Sequence, residues 1–300
     1  MPKLFITGGS GYVGSVVIEL ALADGYTVHA LSRSDASDET LRRLGAHPIR
    51  GDLTSLAVLQ EQSAAADAVI HLATAFTIGA GPNETALPTD IAAIDAIADG
   101  LAGTHKPVVI TSGTLAVAPD PTGAETNETS QIQASPLSER AQVETHALGL
   151  ARRDIRVIGV RLPPYTYGRG GSGVRKFMEM ATQTGSVLVI EGGKNRTTSV
   201  HVEDAGRLFL LALQKGRTGL YNASANTTVT VGEIFRAIGT VLDVPVREIS
   251  RDDALGVLGS GLTFFLGAEN RASGTKAENE LDWHARGRGI VEEILHGSYR

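Results

Sequence analysis

Short runs of β-branched and apolar residues alternate with stretches of helical periodicity from the start of the chain. Such runs are typical of buried strands, and strands that alternate with helices are typical of a parallel sheet covered on both faces. The pattern therefore predicts an α/β fold with a Rossmann-type, doubly wound parallel sheet. The predicted strands cover residues 3–7, 27–32, 47–52, 67–73, 107–112 and 155–161.

Two long stretches between the predicted strands carry apolar residues at three- and four-residue spacing, which indicates amphipathic helices. They cover about residues 87–103 and 135–152. The first helix has an apolar stripe, and the second carries small and apolar residues on one side. The stripe consists of Leu87, Ile91, Ile94, Ala98 and Leu101, and the second set of Ala141, Leu148 and Ala151.

The regular alternation ends after Arg161 at "LPPYTYGRGGSG", where prolines and glycines predict a loop and a boundary between lobes. We expect one domain from residues 1–162 plus about 200–225, and a smaller C-terminal lobe from 163–199 plus about 226–300. Beyond the loop, the pattern predicts helices at 173–184, 203–215 and from 231 onward, with strands at 186–193 and 219–225.

The composition narrows the function classes. A formal net charge of −6 disfavours binding to a nucleic-acid backbone, and the absence of cysteine excludes disulfides and thiolate metal sites. The chain begins directly in a predicted strand, and no apolar run approaches the roughly 18 residues of a membrane span. We expect a cytoplasmic protein with a small-molecule partner, no membrane contact and no bound metal.

The strongest motif is "TGGSGYVG", in which Gly8, Gly11 and Gly14 follow the first strand and open a helix. A dinucleotide's diphosphate needs free backbone N–H groups and the positive end of a helix, and side chains at these positions would block its approach. The motif predicts a bound dinucleotide. The alternative is an ordinary glycine-rich turn between a strand and a helix.

The end of the second strand should lie at the adenosine ribose, where an acidic residue favours NAD. Ser32, Arg33 and Ser34 stand there instead. An arginine can bind a 2′-phosphate through its planar guanidinium, so we expect NADP(H) rather than NAD(H). The alternative is that Arg33 is a solvated surface charge and that Asp35 faces the ribose.

The chain resembles the extended and atypical short-chain dehydrogenase/reductases, also called the NAD-dependent epimerase/dehydratase family. The resemblance covers nearly the whole chain. It rests on "TGGSGYVG", "GDLTS", "VIHLAT", "VVITSGT", "VRLPPYTYGRG" and "SVHVEDAGRLFLLAL". It implies that the first domain binds the cofactor and that the smaller lobe binds the substrate.

The resemblance also implies the cofactor contacts. Asp52 and Leu53 would contact adenine, although Asp52 could equally cap a turn or helix. Residues 72–74 would follow the diphosphate and ribose, with His71 a packing residue rather than a catalyst. The full implied set is Gly8, Ser10, Gly11, Tyr12, Val13, Gly14, Ser32, Arg33, Asp52, Leu53, Leu72, Ala73, Thr74, Thr111, Arg140 and Pro163.

Members of that family use a Tyr-x-x-x-Lys pair to move the proton that accompanies hydride transfer. In "SPLSERAQVE" the matching positions hold Pro136 and Arg140. No tyrosine lies between Tyr26 and Tyr165, and no lysine between Lys106 and Lys176, so the predicted helix 135–152 supplies neither residue. A proton donor, if one is needed, must come from elsewhere.

Arg140 can bind ribose hydroxyls and place a positive charge beside the nicotinamide, but a guanidinium does not shuttle protons at physiological pH. We therefore expect a role in binding. The alternative is an exposed residue paired with Glu144 four positions along the helix.

Several hydroxyls remain as candidate acids. The family's catalytic serine or threonine matches Gly113, with Ser112 and Thr114 on either side. Tyr165 is the preferred substitute acid, although its ring could form a pocket wall instead. The predicted catalytic residues are thus Tyr165, Thr114, Ser112 and Arg140. The predicted substrate contacts are Thr114, Tyr165, Tyr167, Arg196 and His201, of which Tyr167 and His201 also have plausible structural roles.

Three functions fit these residues. The first is an NADP(H)-dependent oxidoreductase that reduces a carbonyl or conjugated alkene of a small apolar metabolite. The second is a non-redox isomerase, epimerase or cyclase that keeps the cofactor. The third is a dinucleotide sensor without turnover. The helices at 87–103 and 135–152 also resemble the pair that family members use to form a homodimer.

Overall fold

A computed structural model of the protein describes residues 1–76, 85–135 and 138–300. Its strands are β1 (Lys3–Thr7), β2 (Thr27–Ser32), β3 (His47–Arg50), β4 (Ala68–His71), β5 (Pro107–Gly113), β6 (Arg156–Leu162), β7 (Tyr165–Tyr167), β8 (Val187–Ile190), β9 (Ser199–His201), β10 (Gly219–Asn222) and β11 (Val246–Ile249). Its helices are α1 (Tyr12–Ala23), α2 (Asp35–Arg43), α3 (Leu56–Ala65), α4 (Ala86–Leu101), α5 (Ser138–Gly149), α6 (Ser172–Thr184), α7 (Val202–Lys215), α8 (Val231–Leu242), α9 (Arg251–Gly267), α10 (Thr275–Leu281) and α11 (Ile290–His296).

Seven strands form one central sheet in the order β10-β6-β5-β4-β1-β2-β3, and every neighbouring pair runs parallel. The predicted Rossmann-type parallel sheet is confirmed. The chain order reverses between β1 and β4, so the loops that leave these two strands diverge and open a crevice at the carboxyl edge. That crevice is where the glycine-rich motif lies.

The sheet is apolar on both faces because helices cover both of them. Val109 and Val160 point into a cluster with α7, which we call the α7-side core. Val108 and Ile110 point the other way, into a cluster with α4 and α5, which we call the α4-side core. Since alternate side chains of a strand face opposite sides, strands covered twice become continuous apolar runs, which is the pattern of the sequence.

A third hydrophobic cluster forms within residues 165–299, and we call it the C-terminal core. It contains Tyr165, Tyr167 and Phe235 and joins α6, α8 and α9. The predicted division into a cofactor domain and a substrate lobe stays a prediction. Trp283, from the segment assigned to the smaller lobe, packs in the α7-side core instead.

One strand falls where the sequence predicts only a loop. Tyr165–Tyr167 forms β7, which pairs in parallel with β9. A three-residue strand between prolines and glycines is too short to give an alternating pattern. The long loop is therefore tied down soon after it leaves β6.

Within the described ranges, no helix combines the length and the apolar character needed to cross a membrane.

Candidate cofactor and active site

The glycine motif forms a tight turn between β1 and α1. Gly8 has a φ of 72°, and a Cβ at Gly14 would lie 2.2 Å from the carbonyl oxygen of Gly8. The cap residue Gly11 gives no side-chain hydrogen bond, and the first turn of α1 contains no acidic residue. The N–H groups of that turn have no acceptor inside the helix, so they and the helix dipole are available to an anion. A diphosphate fits this turn.

The side chains of the residues around the glycine turn are exposed or contact other parts of the protein. Ser10 is exposed, so its side chain leaves the backbone accessible, and Val13 packs against the α7-side core. The Tyr12 hydroxyl donates to the carbonyl oxygen of Gly168 at 2.8 Å. The side chain of Tyr12 therefore ties α1 to the loop after β7.

Four charged residues lie at or near the turn between β2 and α2. Arg33 is exposed, and no residue in the described ranges bonds to its guanidinium. Asp35 accepts a hydrogen bond from Arg50 at 2.6 Å, and Arg50 also reaches Asp38 at 2.7 Å. The carboxylate that could have faced a ribose is thus paired with Arg50, while Arg33 has no partner among the described residues.

The buried Ser32 ends β2, and its hydroxyl donates to the carbonyl oxygen of Ser34 at 3.2 Å. Ser34 in turn caps α2 by accepting from the N–H of Ser37. These bonds fix the backbone on both sides of Arg33. The arginine is therefore presented from a short, defined turn.

Asp52 fills a capping role at the turn before α3. Its carboxylate accepts from the hydroxyl of Thr54 at 2.7 Å, the N–H of Thr54 at 2.8 Å and the hydroxyl of Ser55 at 3.2 Å. These hydrogen bonds, led by the Thr54 hydroxyl, lower the pKa of Asp52. Leu53 packs against the α4-side core. Contact of either residue with adenine stays a prediction.

The end of β4 is held by Thr7 of β1. Thr7 Oγ1 accepts from the N–H of Ala73 at 3.2 Å and lies 2.8 Å from His71 Nδ1. A Cβ at Gly8 would lie 2.8 Å from the nitrogen of Ala73, so the glycine turn directly touches the stretch that begins at Leu72. Residues 72–74 therefore line the same crevice as the turn. His71 is a buried packing residue, as predicted.

Thr74 and Ala75 bind a buried carboxylate that the sequence analysis missed. The Thr74 hydroxyl donates to Asp90 Oδ2 at 2.5 Å, and the N–H of Ala75 donates to Asp90 Oδ1 at 2.7 Å. A signal was present in the sequence, because Asp90 lies four residues before Ile94 and therefore on the buried side of α4. Residues 77–84 lie outside the described residues.

The hydroxyls at the end of β5 are engaged or enclosed. Thr111 donates to the carbonyl oxygen of His71 at 3.2 Å, and Thr114 is fully buried and donates to Asn270 Oδ1 at 2.9 Å. Ser112 is 2% exposed, with no hydrogen-bond partner in the described chain. It points to the α4 and α5 face of the sheet, opposite to Thr111. A proton-donating role for Ser112 or Thr114 stays a prediction.

The alternative that Arg140 pairs with Glu144 is wrong. Glu144 instead receives two hydrogen bonds from Arg161 of β6, from Nε at 2.8 Å and from Nη2 at 2.6 Å. Both side chains are 2% exposed, and a bidentate pair out of water is stronger than a solvated contact along one helix. Arg140 is half-buried on α5, and no residue in the described ranges accepts a hydrogen bond from it. Pro136 lies outside the described residues.

Tyr165 follows the buried Pro163 and points into the C-terminal core. Its ring centroid lies 5.5 Å from that of Phe265, and its hydroxyl has no hydrogen-bond partner in the described ranges. Burial raises the pKa of Tyr165 well above its usual value. As an acid, this hydroxyl would need to meet the substrate directly.

The other three predicted substrate residues already have protein partners. Tyr167 donates to the carbonyl oxygen of Arg288 at 2.7 Å, and His201 caps α7 by accepting from the N–H of Glu203 at 3.3 Å. Arg196 binds Glu269 at 2.7 Å. These contacts give each side chain a structural role, and their contact with a substrate stays a prediction.

A segment close to residue 300 also reaches the cofactor crevice. Tyr299 is 1% exposed; its hydroxyl accepts from the N–H of Gly168 and donates to the carbonyl oxygen of Gly171, both at 2.8 Å. Gly168 is the residue whose carbonyl binds Tyr12. We call the contacts among Tyr12, Gly168, Gly171 and Tyr299 the tyrosine clamp. Nothing in the local sequence pattern indicated it.

The fold and the site together define a Rossmann-type protein with a glycine-rich turn at its first strand–helix junction. The model of the NAD-dependent epimerase/dehydratase family matches residues 4–226, and the chain belongs to this family. The resemblance noted in the sequence is thereby confirmed.

Two proteins of similar sequence and one solved structure of similar fold can be compared with the chain. The uncharacterised protein YLL056C of Saccharomyces cerevisiae is 33% identical over 296 residues, or 97% of each chain. A 4-hydroxy-2-methyl-3-oxo-4-farnesyl-3,4-dihydroquinoline-1-oxide ketoreductase of Stigmatella aurantiaca is 25% identical over 72% of this chain and 66% of its own. The solved UDP-glucose 4-epimerase of Thermotoga maritima superposes with a TM-score of 0.80 at 21% identity, covering 99% of this chain and 98% of that one.

Proposed function

We propose that the protein is an NADP(H)-dependent oxidoreductase that reduces a carbonyl or conjugated alkene of a small apolar metabolite. The observation that carries this proposal is the pairing of an unobstructed glycine turn with a free arginine at the end of β2. Gly14 leaves no room for a side chain beside Gly8, and Arg33 has no partner in the described ranges. Asp35, which would favour NAD, is occupied by Arg50.

The preference for NADP follows from charge. The coenzyme's 2′-phosphate carries negative charge next to the adenosine ribose, and a guanidinium binds phosphate through two parallel N–H donors. An unneutralised carboxylate at the same place would repel it. The ion pairs of Arg50 therefore support a preference for NADP over NAD as much as Arg33 does.

Relatives support a reductase. The Stigmatella aurantiaca protein is named a ketoreductase and matches 72% of this chain. The substrate in its name carries a 3-oxo group and a farnesyl chain. We infer the same reaction class for this chain, without transferring that substrate.

In the reaction, bound NADPH would supply a hydride to the electrophilic carbon of the substrate. The glycine turn holds the diphosphate, and residues 72–74 contact the ribose. Arg140 binds the hydroxyls of the nicotinamide ribose through a fixed positive charge, because a guanidinium keeps its protons. Tyr165, whose hydroxyl is buried in the C-terminal core, is the proposed acid that protonates the oxygen or carbon that becomes negative.

The test is a titration of the purified protein with NADPH and NADH, repeated with Arg33→Ala. We expect the variant to bind NADPH at least about tenfold more weakly while its affinity for NADH changes by less than about twofold, since only NADPH carries the 2′-phosphate. Arg43→Ala is the matched control because Arg43 is also exposed, at the far end of α2. Equal losses for both coenzymes would contradict the NADP assignment.

A second candidate is a non-redox isomerase, epimerase or cyclase that keeps the bound coenzyme. The enclosed hydroxyls favour it: Thr114 is bound to Asn270, and the Tyr165 hydroxyl is buried without a partner in the described chain. Incubation with NADPH and a panel of aldehydes, ketones and enones separates the two functions. Tight NADPH binding without coenzyme oxidation by any of them would favour the second.

A further inference from the structure

Asp90 is a buried carboxylate on α4 that faces the cofactor crevice. It is 3% exposed, and burying a charge is costly unless partners surround it. Both oxygens have donors, the Thr74 hydroxyl at 2.5 Å and the Ala75 N–H at 2.7 Å. These donors follow directly on the stretch that contacts the glycine turn. Asp90 therefore fixes the backbone where the crevice wall leaves β4.

Arg140 carries the opposite charge near the N-terminal end of α5, as Asp90 does near that of α4; the two helices pack together, and His146 bonds Asp95 at 2.7 Å. It is half-buried on α5, and no described residue accepts a hydrogen bond from its guanidinium. Burial raises the pKa of Asp90, and the hydrogen bonds from Thr74 and Ala75, followed by the charge of Arg140, oppose that rise. Burial lowers the pKa of Arg140, and the charge of Asp90 opposes that fall. The two groups thus stabilise each other electrostatically without a direct ion pair, which leaves the donors of Arg140 free for a ligand.

We propose that Asp90 is a positioning residue of the cofactor site, whose negative charge holds the Arg140 guanidinium in the crevice while its hydrogen bonds fix Thr74 and Ala75. The proposal rests on the proposed function, because Arg140 is assigned there to the nicotinamide ribose. It adds a residue on α4 to a site otherwise built from the glycine turn, strand ends and α5. It also explains how a half-buried guanidinium without a hydrogen-bond partner in the described chain is tolerated.

A purely structural role can be separated from this one because Asn has nearly the shape of Asp. In Asp90→Asn the side-chain oxygen still accepts from Ala75, and the amide can donate to the Thr74 oxygen. The variant removes the charge and keeps the tie to the turn. If Asp90 acts through Arg140, the loss of NADPH affinity in Asp90→Asn must depend on which residue occupies position 140.

The experiment is a double-mutant cycle on NADPH affinity. Asp90→Asn is combined with Arg140→Gln, which removes the partner charge, and with Arg140→Lys, which keeps it. We expect Asp90→Asn to weaken NADPH binding about tenfold in the natural chain and with Arg140→Lys, and less than about twofold with Arg140→Gln. Asp95→Asn is the matched control, since Asp95 lies on the same helix and binds His146 at 2.7 Å.

The outcomes distinguish this proposal from the proposed function. Natural protein that fails to bind NADPH would overturn both. Binding by the natural protein, with equal losses from Asp90→Asn in all three backgrounds or no loss in any, would overturn the positioning role alone. Chemical denaturation of each variant identifies losses of NADPH affinity that arise from unfolding. If Asp90→Asn folds less well than the natural protein, Asp90→Glu is the second variant. It restores the charge and should bind NADPH more tightly than Asp90→Asn.

Discussion

At the scale of single residues, His71 shows how burial sets the protonation state of a group beside the crevice. The ring is 4% exposed at the end of β4, with Nδ1 2.8 Å from the Thr7 hydroxyl. Since Thr7 Oγ1 already accepts from the N–H of Ala73, its own proton is available for the ring nitrogen. The neutral ring thus completes a hydrogen-bonded link between β1 and β4.

The first prediction concerns the pH dependence of stability. Burial lowers the pKa of His71 to about 4, against about 6.5 in an unfolded chain. Because the folded pKa is the lower one, the stabilisation is present above the unfolded value and is lost as the pH falls toward 4. When the pH falls from 7 to 5, the free energy of unfolding of the natural protein should decrease by about 2 kcal/mol more than that of His71→Gln.

Denaturant unfolding at the two pH values measures this difference. His284→Gln, at an exposed position, serves as the control and should leave the pH dependence unchanged. An identical pH dependence for the natural protein and His71→Gln would show that the ring does not titrate in this range.

At the scale of elements, the first turn of α1 depends on the absence of side chains rather than on their presence. A Cβ at Gly14 would lie 2.2 Å from the carbonyl oxygen of Gly8 and 2.8 Å from the Cα of Gly9. Both neighbours are backbone atoms, which cannot move aside as a flexible side chain could. Any larger residue must therefore reshape the turn.

The element-scale prediction is that Gly14→Ala lowers the free energy of unfolding by about 1–3 kcal/mol and weakens NADPH binding at least about tenfold. Gly256→Ala is the control, because Gly256 lies in α9 with no atom within 4 Å of the added Cβ. That change should stabilise the helix by about 0.5–1 kcal/mol. Denaturation and coenzyme titration check both variants, and a Gly14→Ala protein with unchanged affinity would disprove the assigned role of the turn.

The contacts of α4 and α5 bear on the predicted homodimer. The apolar residues of α4 and α5 that are most buried, including Ile94, Ile97 and Ala147, pack in the α4-side core. His146 of α5 also bonds Asp95 of α4 at 2.7 Å. These contacts are made within one chain, so the homodimer through α4 and α5 stays a prediction.

At the scale of the whole molecule, the tyrosine clamp joins distant parts of the chain at the crevice. Tyr299 and Gly168 are 131 residues apart, and Gly168 and Tyr12 are 156 apart. Gly168 has a φ of 112° and Gly170 a φ of 66°, which glycine adopts without strain, and hydrogen bonds from other parts of the chain hold the loop in this shape. The clamp provides them at the N-terminal end of α1.

The whole-molecule prediction is that Tyr299→Phe costs about 1–3 kcal/mol of unfolding free energy, because the N–H of Gly168 loses its acceptor inside the protein. NADPH affinity should also fall several-fold, since the clamp reaches the helix that holds the diphosphate. Tyr26→Phe is the control, at a partly buried tyrosine against the α7-side core. Stability that falls without any change in affinity would confine the clamp to a structural role.

The sheet and the glycine turn were predictable because their signals are local. A strand buried on both faces gives a continuous apolar run, and a strand–turn–helix junction that binds a diphosphate needs glycines at fixed spacing. The six predicted strands of the first domain agree with β1 to β6 within two residues at each end. After residue 162, three short strands were missed: β7, β9 and β11.

The side-chain partners were not predictable because they are set by tertiary packing. Glu144 lies four residues from Arg140, yet its partner is Arg161 on a neighbouring strand. Spacing along a helix shows which residues can meet, and burial decides which of them do. Asn270 was overlooked for the same reason, since it belongs to no motif and bonds Thr114 from another element. The spacing of Asp90 from Ile94 indicated that Asp90 is buried, but not that Thr74 and Ala75 are its partners.

The ends of β1 and β2 have different proposed functions, diphosphate binding and coenzyme selection, and this separation has an evolutionary consequence. The diphosphate site consists of main chain packed against main chain, as at Gly8 and Gly14, so mutation can do little there except damage it. Arg33 and the Arg50–Asp35 pair lie on the exposed rim, outside the core clusters. Descendants of this protein could therefore exchange one coenzyme for the other through a few surface substitutions while the fold beneath remains unchanged.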